Sequence, residues 1–262
     1  MNPWVPLDYE ALNQQARITI IGGGLTMADR VFDLMAHGYK GSINVISKMG
    51  VLPLAQTTQD SVDEDNLTLD FTLPMSQVFA KMRRLVREQQ ERDLPWQNTV
   101  DQISSLIAVN WENMPAYHKK QFVEHVMDYW NWLSYRLHPE NLARLEALQA
   151  ESKLHLIRGH VQSIQEHKKE LEVVCFDRGN PEPFSVMSDV VINATGPAKR
   201  LNRAKDPLME YLLAHGYIQC DDQYLGVKTH PDLSACSQFA PVRNKLFVLG
   251  ALNKPHFFRA DQ

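Results

Sequence analysis

The sequence is poor in the features that would place it in several large classes. It has only three cysteines, Cys175, Cys220 and Cys236, and no two of them form a CxxC pair. A disulfide framework and a zinc site are therefore not expected, and sparse, separated thiols suit a reducing, cytoplasmic compartment. No apolar run approaches the ~20 residues that a membrane-spanning helix needs. The first ten residues hold no basic stretch leading into an apolar one, so no signal peptide is expected. Basic residues are not in excess: 27 Lys and Arg against 31 Asp and Glu leave a net charge of −4. That balance gives no general attraction to nucleic acid or to an anionic membrane. Ser61, Ser104 and Ser105 lack the strand–turn–helix context of a nucleophile elbow, so no Ser–His–Asp chemistry is read here. His155, His160 and His167 lack metal-ligand periodicity and read as surface or turn residues rather than a metal site.

What is present begins with a short β-branched run. Arg17-Ile18-Thr19-Ile20-Ile21 reads as a buried strand. Three glycines follow, and then Leu25 to Ala36 carries Met27, Val31, Leu34 and Met35 at helical spacing, with Gly38 just past its end as a C′ glycine. Ser42 to Ser47 is the next strand. Together these make a βαβ unit of about 30 residues. Residues 54–73 are polar and acidic and read as loop. From Pro74 the period changes: Met75, Val78, Phe79, Met82, Leu85 and Val86 form one face of an amphipathic helix running to about Asp93. Its outer face, Arg83, Arg84, Arg87 and Arg92 among Glu88 and Glu91, reads as solvated. Helical spacing continues through Val100 to Ile107 and Phe122 to Leu133, and Pro139 suits the first turn of a helix ending near Ala150. Trp96, Trp111, Trp130 and Trp132 read as core rather than as a substrate box.

Strands return with Leu154-His155-Leu156-Ile157. Val161–Ile164 and Leu171–Phe176 read as a hairpin or meander with a turn at Arg178-Gly179-Asn180. Asp189–Asn193 reads as a buried strand, Leu208–His215 as a short helix and Lys245–Gly250 as the last strand. The expected class is α/β: a Rossmann-like nucleotide-binding sheet over residues 1–195, with a helical block inserted at about 74–150, followed by a C-terminal segment, 196–262.

The candidate site lies between the first strand and helix. Gly22, Gly23 and Gly24 follow a strand and open a helix at Leu25 and Thr26, the context that a dinucleotide fingerprint requires. Gly22 permits the tight turn, Gly24 lets backbone approach a pyrophosphate, and the helix N-terminus supplies free N–H groups and partial positive charge. Met27 occupies the position of the third fingerprint glycine, with Ala28 next, which is expected to weaken close helix–strand packing. A glycine-rich turn that binds nothing is the plainer alternative. The second strand ends in Ser47-Lys48, where an NAD site usually has an acid on the ribose 2′-hydroxyl. A hydroxyl and an ammonium would attract a 2′-phosphate, so NADP(H) is preferred to NAD(H). The plainer reading of Lys48 is a surface lysine. No residue stands out as a catalytic acid or base.

The segment Ile20-Ile21-Gly22-Gly23-Gly24-Leu25-Thr26-Met27-Ala28-Asp29, with Gly41-Ser42-Ile43-Asn44-Val45-Ile46-Ser47-Lys48-Met49-Gly50-Val51-Leu52-Pro53, resembles the second nucleotide motif of bacterial FAD–NAD(P)-binding proteins, a group distantly similar to flavin monooxygenases. The resemblance continues through Arg136-Leu137-His138-Pro139, the Ile192-Asn193-Ala194-Thr195-Gly196-Pro197 segment and Leu246–Leu252. It implies a two-dinucleotide flavoprotein oxidoreductase in which NADPH passes hydride to FAD, with Ala194, Thr195 and Gly196 at the cofactors. In that family an FAD fingerprint lies upstream, reached through a linker resembling Asn2-Pro3-Trp4. The family also continues past the segment that here ends at Phe257–Gln262. The sequence is therefore expected to be the NADP(H)-binding portion of such an enzyme, truncated or one part of a split gene, with 196–262 as a remnant of the FAD domain and FAD binding doubtful for this chain alone. A non-catalytic remnant, a nucleotide-binding subunit pairing with a separate FAD-binding chain or with itself, and a flavin-independent dehydrogenase stay open as alternatives.

Overall fold

In a computed structural model of the protein, residues 7–59, 67–168, 170–177, 179–196, 201, 206–239 and 246–253 are described. In chain order the elements begin with β1 (Ile18–Ile21), α1 (Leu25–Ala36), β2 (Ile43–Ser47), α2 (Met75–Glu91), α3 (Trp96–Trp111) and α4 (Ala116–Gln121). A π-helical turn (Phe122–Val126) leads into α5 (Met127–Ser134), and α6 (Pro139–Ala150) follows. Then come β3 (Leu154–Arg158), β4 (His160–His167), β5 (Glu170–Asp177), β6 (Asn180–Ser188), β7 (Val190–Asn193), α7 (Pro207–Ala214) and a 3-10 turn (Gly250–Asn253). The chain divides into two compact units, residues 1–56 with 135–196, and residues 57–134 with 197–262.

The first unit carries a four-stranded parallel sheet in the order β3-β2-β1-β7 and a three-stranded antiparallel sheet in the order β4-β5-β6. Ile18, Thr19 and Ile20 are all fully buried, which is what a central parallel strand covered on both faces requires. Thr19 is accommodated because its hydroxyl hydrogen-bonds the buried Ser188 hydroxyl at 2.6 Å. On one side α1 lays Met27, Ala28, Val31 and Leu34 against Ile18, Ile20, Ile43 and Val45, and Leu145 of α6 joins the same core. Each fully buried Ile, Leu or Val side chain contributes about 1.5–3 kcal/mol of transfer free energy. Val173 and Cys175 of β5 pack with Ile46 and Val191 in a second cluster, and burial pushes the Cys175 thiol pKa up.

The second unit is built on α2, α3 and α5. Met75, Val78, Met82 and Val86 of α2 are buried, as are Val100, Ile103 and Ile107 of α3, in keeping with the spacing of the sequence. Trp111 and Trp130 are core residues. Trp111 meets Phe122 edge-on at 5.8 Å, and the Trp130 indole donates to the buried Ser104 hydroxyl at 2.9 Å. Arg83, Arg84, Arg87 and Arg92 are exposed, as expected of a solvated face. None of the helices among the described residues is long and apolar enough to cross a membrane.

Three expectations change. The stretch after residue 179 is a strand, β6, rather than turn alone: it pairs antiparallel with β5 from Leu171–Ser188 to Asp177–Asn180. Pro181 and Pro183 hide it in the sequence, because proline lacks a ladder donor, yet β6 is an edge strand where that loss is tolerated. The expected last strand, 245–250, is not a strand over its described residues. It makes one isolated bridge, Ser234 with Phe247, and then enters the 3-10 turn. Its apolar run is only half used: Val248 is buried, whereas Phe247 and Leu249 are exposed. Finally, α6 does not group with the other helices. It packs on the parallel sheet through Leu145, so the helical stretch is split between the two units. The expected turn residue Arg178, Lys245, the linker-like Asn2-Pro3-Trp4, Ser61, Pro197 and 257–262 lie outside the described residues.

The entry to β1 is tied across the sheet by Arg17. Its guanidinium and amide take both oxygens of Asp189, at 2.9 and 2.7 Å, and a second bond reaches Glu170 at 2.5 Å. The Arg17 guanidinium beside Asp189 holds that carboxyl below its ordinary range. A carboxylate so held contributes stability at neutral pH that is lost as the pH falls from about 4 through the lowered value. Arg17→Gln should therefore lower the melting temperature by a few degrees at pH 7 and flatten its fall below pH ~4. Thermal melts across pH check this, and parallel curves for the two proteins would contradict it.

Candidate functional site

The site is assembled by register. Ile21 pairs with Ile46 on one side and with Asn193 on the other, so the ends of β2, β1 and β7 lie side by side at one edge of the parallel sheet. The chain leaves β1 through α1 towards β2, while β7 returns on the opposite side. Ligands of doubly wound sheets bind in the crevice at such a switch point. The expected residues Gly22, Gly23, Gly24, Leu25, Thr26, Ser47, Lys48, Ala194, Thr195 and Gly196 all fall at the strand ends, turns and helix start along this edge.

Gly22 has φ +111° and donates its amide to Ile46 O at 2.8 Å, while Ala194 donates to Ile21 O at 2.7 Å. A Cβ on Gly22 would stand 2.4 Å from the Ala194 carbonyl oxygen, so the first glycine is required by both the turn and the approach of β7. Gly23 faces Ser47: a Cβ there would meet the Ser47 Cβ and Oγ at 3.0 Å. Gly24 is different. It has φ −93°, precedes the first residue of α1, and a Cβ on it would meet nothing within 4 Å. The open side of the turn is thus at Gly24.

Helix α1 has no side-chain cap, and the first intrahelical acceptor, Gly24 O, is taken by Met27 and Ala28. The amides of Leu25 and Thr26 have no helical acceptor, as geometry dictates for a first turn. These donors and the helix dipole, equivalent to roughly +0.5 charge, meet the open side of the glycine turn. Met27, at the third fingerprint position, does not hold α1 off the sheet. It is buried with Ala28 in the helix–sheet core.

At the end of β7, Asn193 Oδ1 accepts from the Thr195 amide at 3.2 Å and hydroxyl at 2.7 Å. This closes a tight turn that ends at Gly196, φ +79°, where a Cβ would again meet open space. At the end of β2 the Ser47 hydroxyl accepts from Gly50 N at 3.0 Å, and Lys48 is exposed beside it. The sequence reading missed Arg158. It ends β3 in register with Ser47, and the only available signal was a cation directly after an apolar strand. His167 pairs with Glu172 at 2.8 Å, and His160 stacks on Phe176 at 5.1 Å.

No family model matches the chain, and no curated protein matches it. Solved structures share its fold. The FAD-bound cadaverine monooxygenase of desferrioxamine biosynthesis from Erwinia amylovora aligns with a TM-score of 0.52 at 16% identity, over 96% of this chain and 48% of its own. L-lysine 6-monooxygenase from Pseudomonas syringae aligns at 0.55 and 16% identity, over 94% of this chain and 49% of its own. The α/β fold expected from the sequence is thus shared with these two monooxygenases, and the chain spans about half the length of each.

The two glycines make opposite demands. Gly22→Ala should cost about 1–3 kcal/mol, since it combines positive φ with a clash against backbone. Gly24→Ala should cost under about 1 kcal/mol. Urea unfolding of both variants measures this, and equal losses would contradict the assigned geometry.

Proposed function

We propose that this chain is the NADP(H)-binding portion of a flavin-dependent oxidoreductase. The observation that carries the reading is the glycine turn at the switch point of the parallel sheet. Gly22 is fixed beneath Ala194, Gly24 is open, and the first amides of α1 meet the same opening. A pyrophosphate suits these donors, because backbone N–H groups and a helix N-terminus are sequence-independent anion ligands. The residues therefore fit a nicotinamide dinucleotide, with Gly22 to Thr26 on the pyrophosphate and Ser47 and Lys48 at the adenosine ribose. Ala194, Thr195 and Gly196 sit across the turn, where they would border the nicotinamide end of the crevice. NADPH, when bound, supplies a hydride. The protein's part is to hold and orient it, which requires no acid or base of its own.

Flavin is a separate question. FAD in such enzymes lies on its own strand–glycine turn–helix, and the sequence contains no G-x-G besides Gly22-Gly23-Gly24. The described residues hold no second turn of that kind either. They do not fit FAD by themselves, and no step through flavin is derived for them. Hydride transfer belongs to an assembly in which a further segment or chain supplies that site. The half-length match to the two monooxygenases supports this division of labour.

Two measurements test the reading. Gly24→Val places a branched side chain in the open face of the turn, and should weaken NADPH binding by about 10-fold or more without loss of folding. Equal affinity in titrations of wild type and variant would overturn the site. Protein purified alone should carry little flavin and should not be reconstituted by excess FAD. Stoichiometric, tightly held FAD measured by absorbance would refute the division.

A further inference from the structure

We infer that Arg158 is the residue that selects NADP(H) over NAD(H), by binding the phosphate on the adenosine 2′-oxygen. The inference rests on the nucleotide site proposed above and names the group that reads one end of it.

The position follows from register. Ser47 and Arg158 are partners on adjacent parallel strands and are the last residues of β2 and β3. Both stand at the sheet edge that carries the glycine turn. The end of β2 is where a dinucleotide's adenosine ribose lies. The next strand outward from β2 is β3, so its last side chain borders the ribose on the side away from the pyrophosphate.

The local packing builds Arg158 into this corner. Gly159 donates its amide to Ser47 O at 2.9 Å, which locks the two strand ends together. The chain after β2 then turns back over Arg158. Gly50 has φ +64°, and a Cβ on it would stand 2.7 Å from the Arg158 Cβ. The same turn is closed by the Gly50 amide on the Ser47 hydroxyl at 3.0 Å. Ser47, Gly50 and the stem of Arg158 therefore form one packed corner, with Lys48 exposed on its rim.

The guanidinium itself is accessible. Its side chain is 61% exposed, and Nε lies 3.3 Å from Asp177 Oδ1, whose side chain is 27% exposed. Asp177 belongs to β5 and anchors the guanidinium through the nitrogen nearest its stem. The planar fork beyond Nε matches a phosphate dianion in shape and charge, and its bonds to phosphate are charge-assisted. A bare ribose hydroxyl offers no such partner. An NAD site would place a carboxylate at Ser47 or Lys48, and neither residue is acidic.

A purely structural role for Arg158 is the competing account. A surface pair with Asp177 would tie β3 to β5 and would affect every nucleotide alike. The discriminating quantity is thus the ratio of affinities, not either affinity alone.

The experiment is calorimetric or fluorescence titration of the full chain with NADPH and with NADH, for wild type, Arg158→Ala and Arg158→Lys, with thermal melts to establish folding. Arg158→Ala should weaken NADPH by about 10- to 100-fold and leave NADH unchanged. Arg158→Lys, which keeps charge without the fork, should fall between. If wild type binds NADPH and Arg158→Ala binds it equally well, the inference is overturned while the nucleotide site stands. Equal weakening of both nucleotides also overturns it, in favour of the clamp with Asp177. If wild type binds neither nucleotide, the proposed site fails and the inference with it.

Discussion

The contact between the Gly22 backbone and the Ala194 carbonyl governs the candidate site. With 2.4 Å available to a Cβ, only glycine lets the chain turn out of β1 while β7 lies alongside. The Ala194 amide bonds Ile21 O and the Gly22 amide bonds Ile46 O, so three strand ends are fixed within one residue of each other. Everything useful at this edge inherits its place from that constraint. Helix α1 can start only where the turn releases it, and its buried residues Met27 and Ala28 then hold its axis against the sheet.

The arrangement separates rigidity from reactivity. The turn is supported by strands with fully buried residues, Ile18, Ile20 and Ile43, whereas Gly24, Thr195 and Gly196 are exposed at the crevice. The binding proposed for this turn would rest on backbone donors and would ask little of side-chain chemistry. Side chains matter at the periphery, where Ser47 and Arg158 meet across β2 and β3.

Much of this was legible in the sequence because the relevant signals are local. The β-branched run at Ile18–Ile21, three glycines and a helical period to Ala36 fix β1, the turn and α1 without any long-range information. The helices at Met75 and Pro139 declare themselves by period and by an N-terminal proline. What was not legible depends on partners. β6 carries two prolines and is a strand only because β5 offers an edge. Residues 246–249 have an apolar strand pattern, yet they find one bridge instead of a ladder. The grouping of α6 with the parallel sheet rests on Leu145 meeting a core assembled from distant segments. Arg158 escaped notice for the same reason: its pairing with Ser47 spans 111 positions and exists only as strand register.

The central claim is that a nicotinamide dinucleotide lies over the glycine turn at the switch point. Amide hydrogen exchange of the full chain, read by mass spectrometry with and without NADP+, tests it most directly because it reports on the backbone donors themselves. Slowed exchange is expected in peptides covering residues 22–27, 47–50 and 193–196, with the first turn of α1 among the most protected. Unchanged exchange at the glycine turn under saturating NADP+, or protection confined to other segments, would contradict the account.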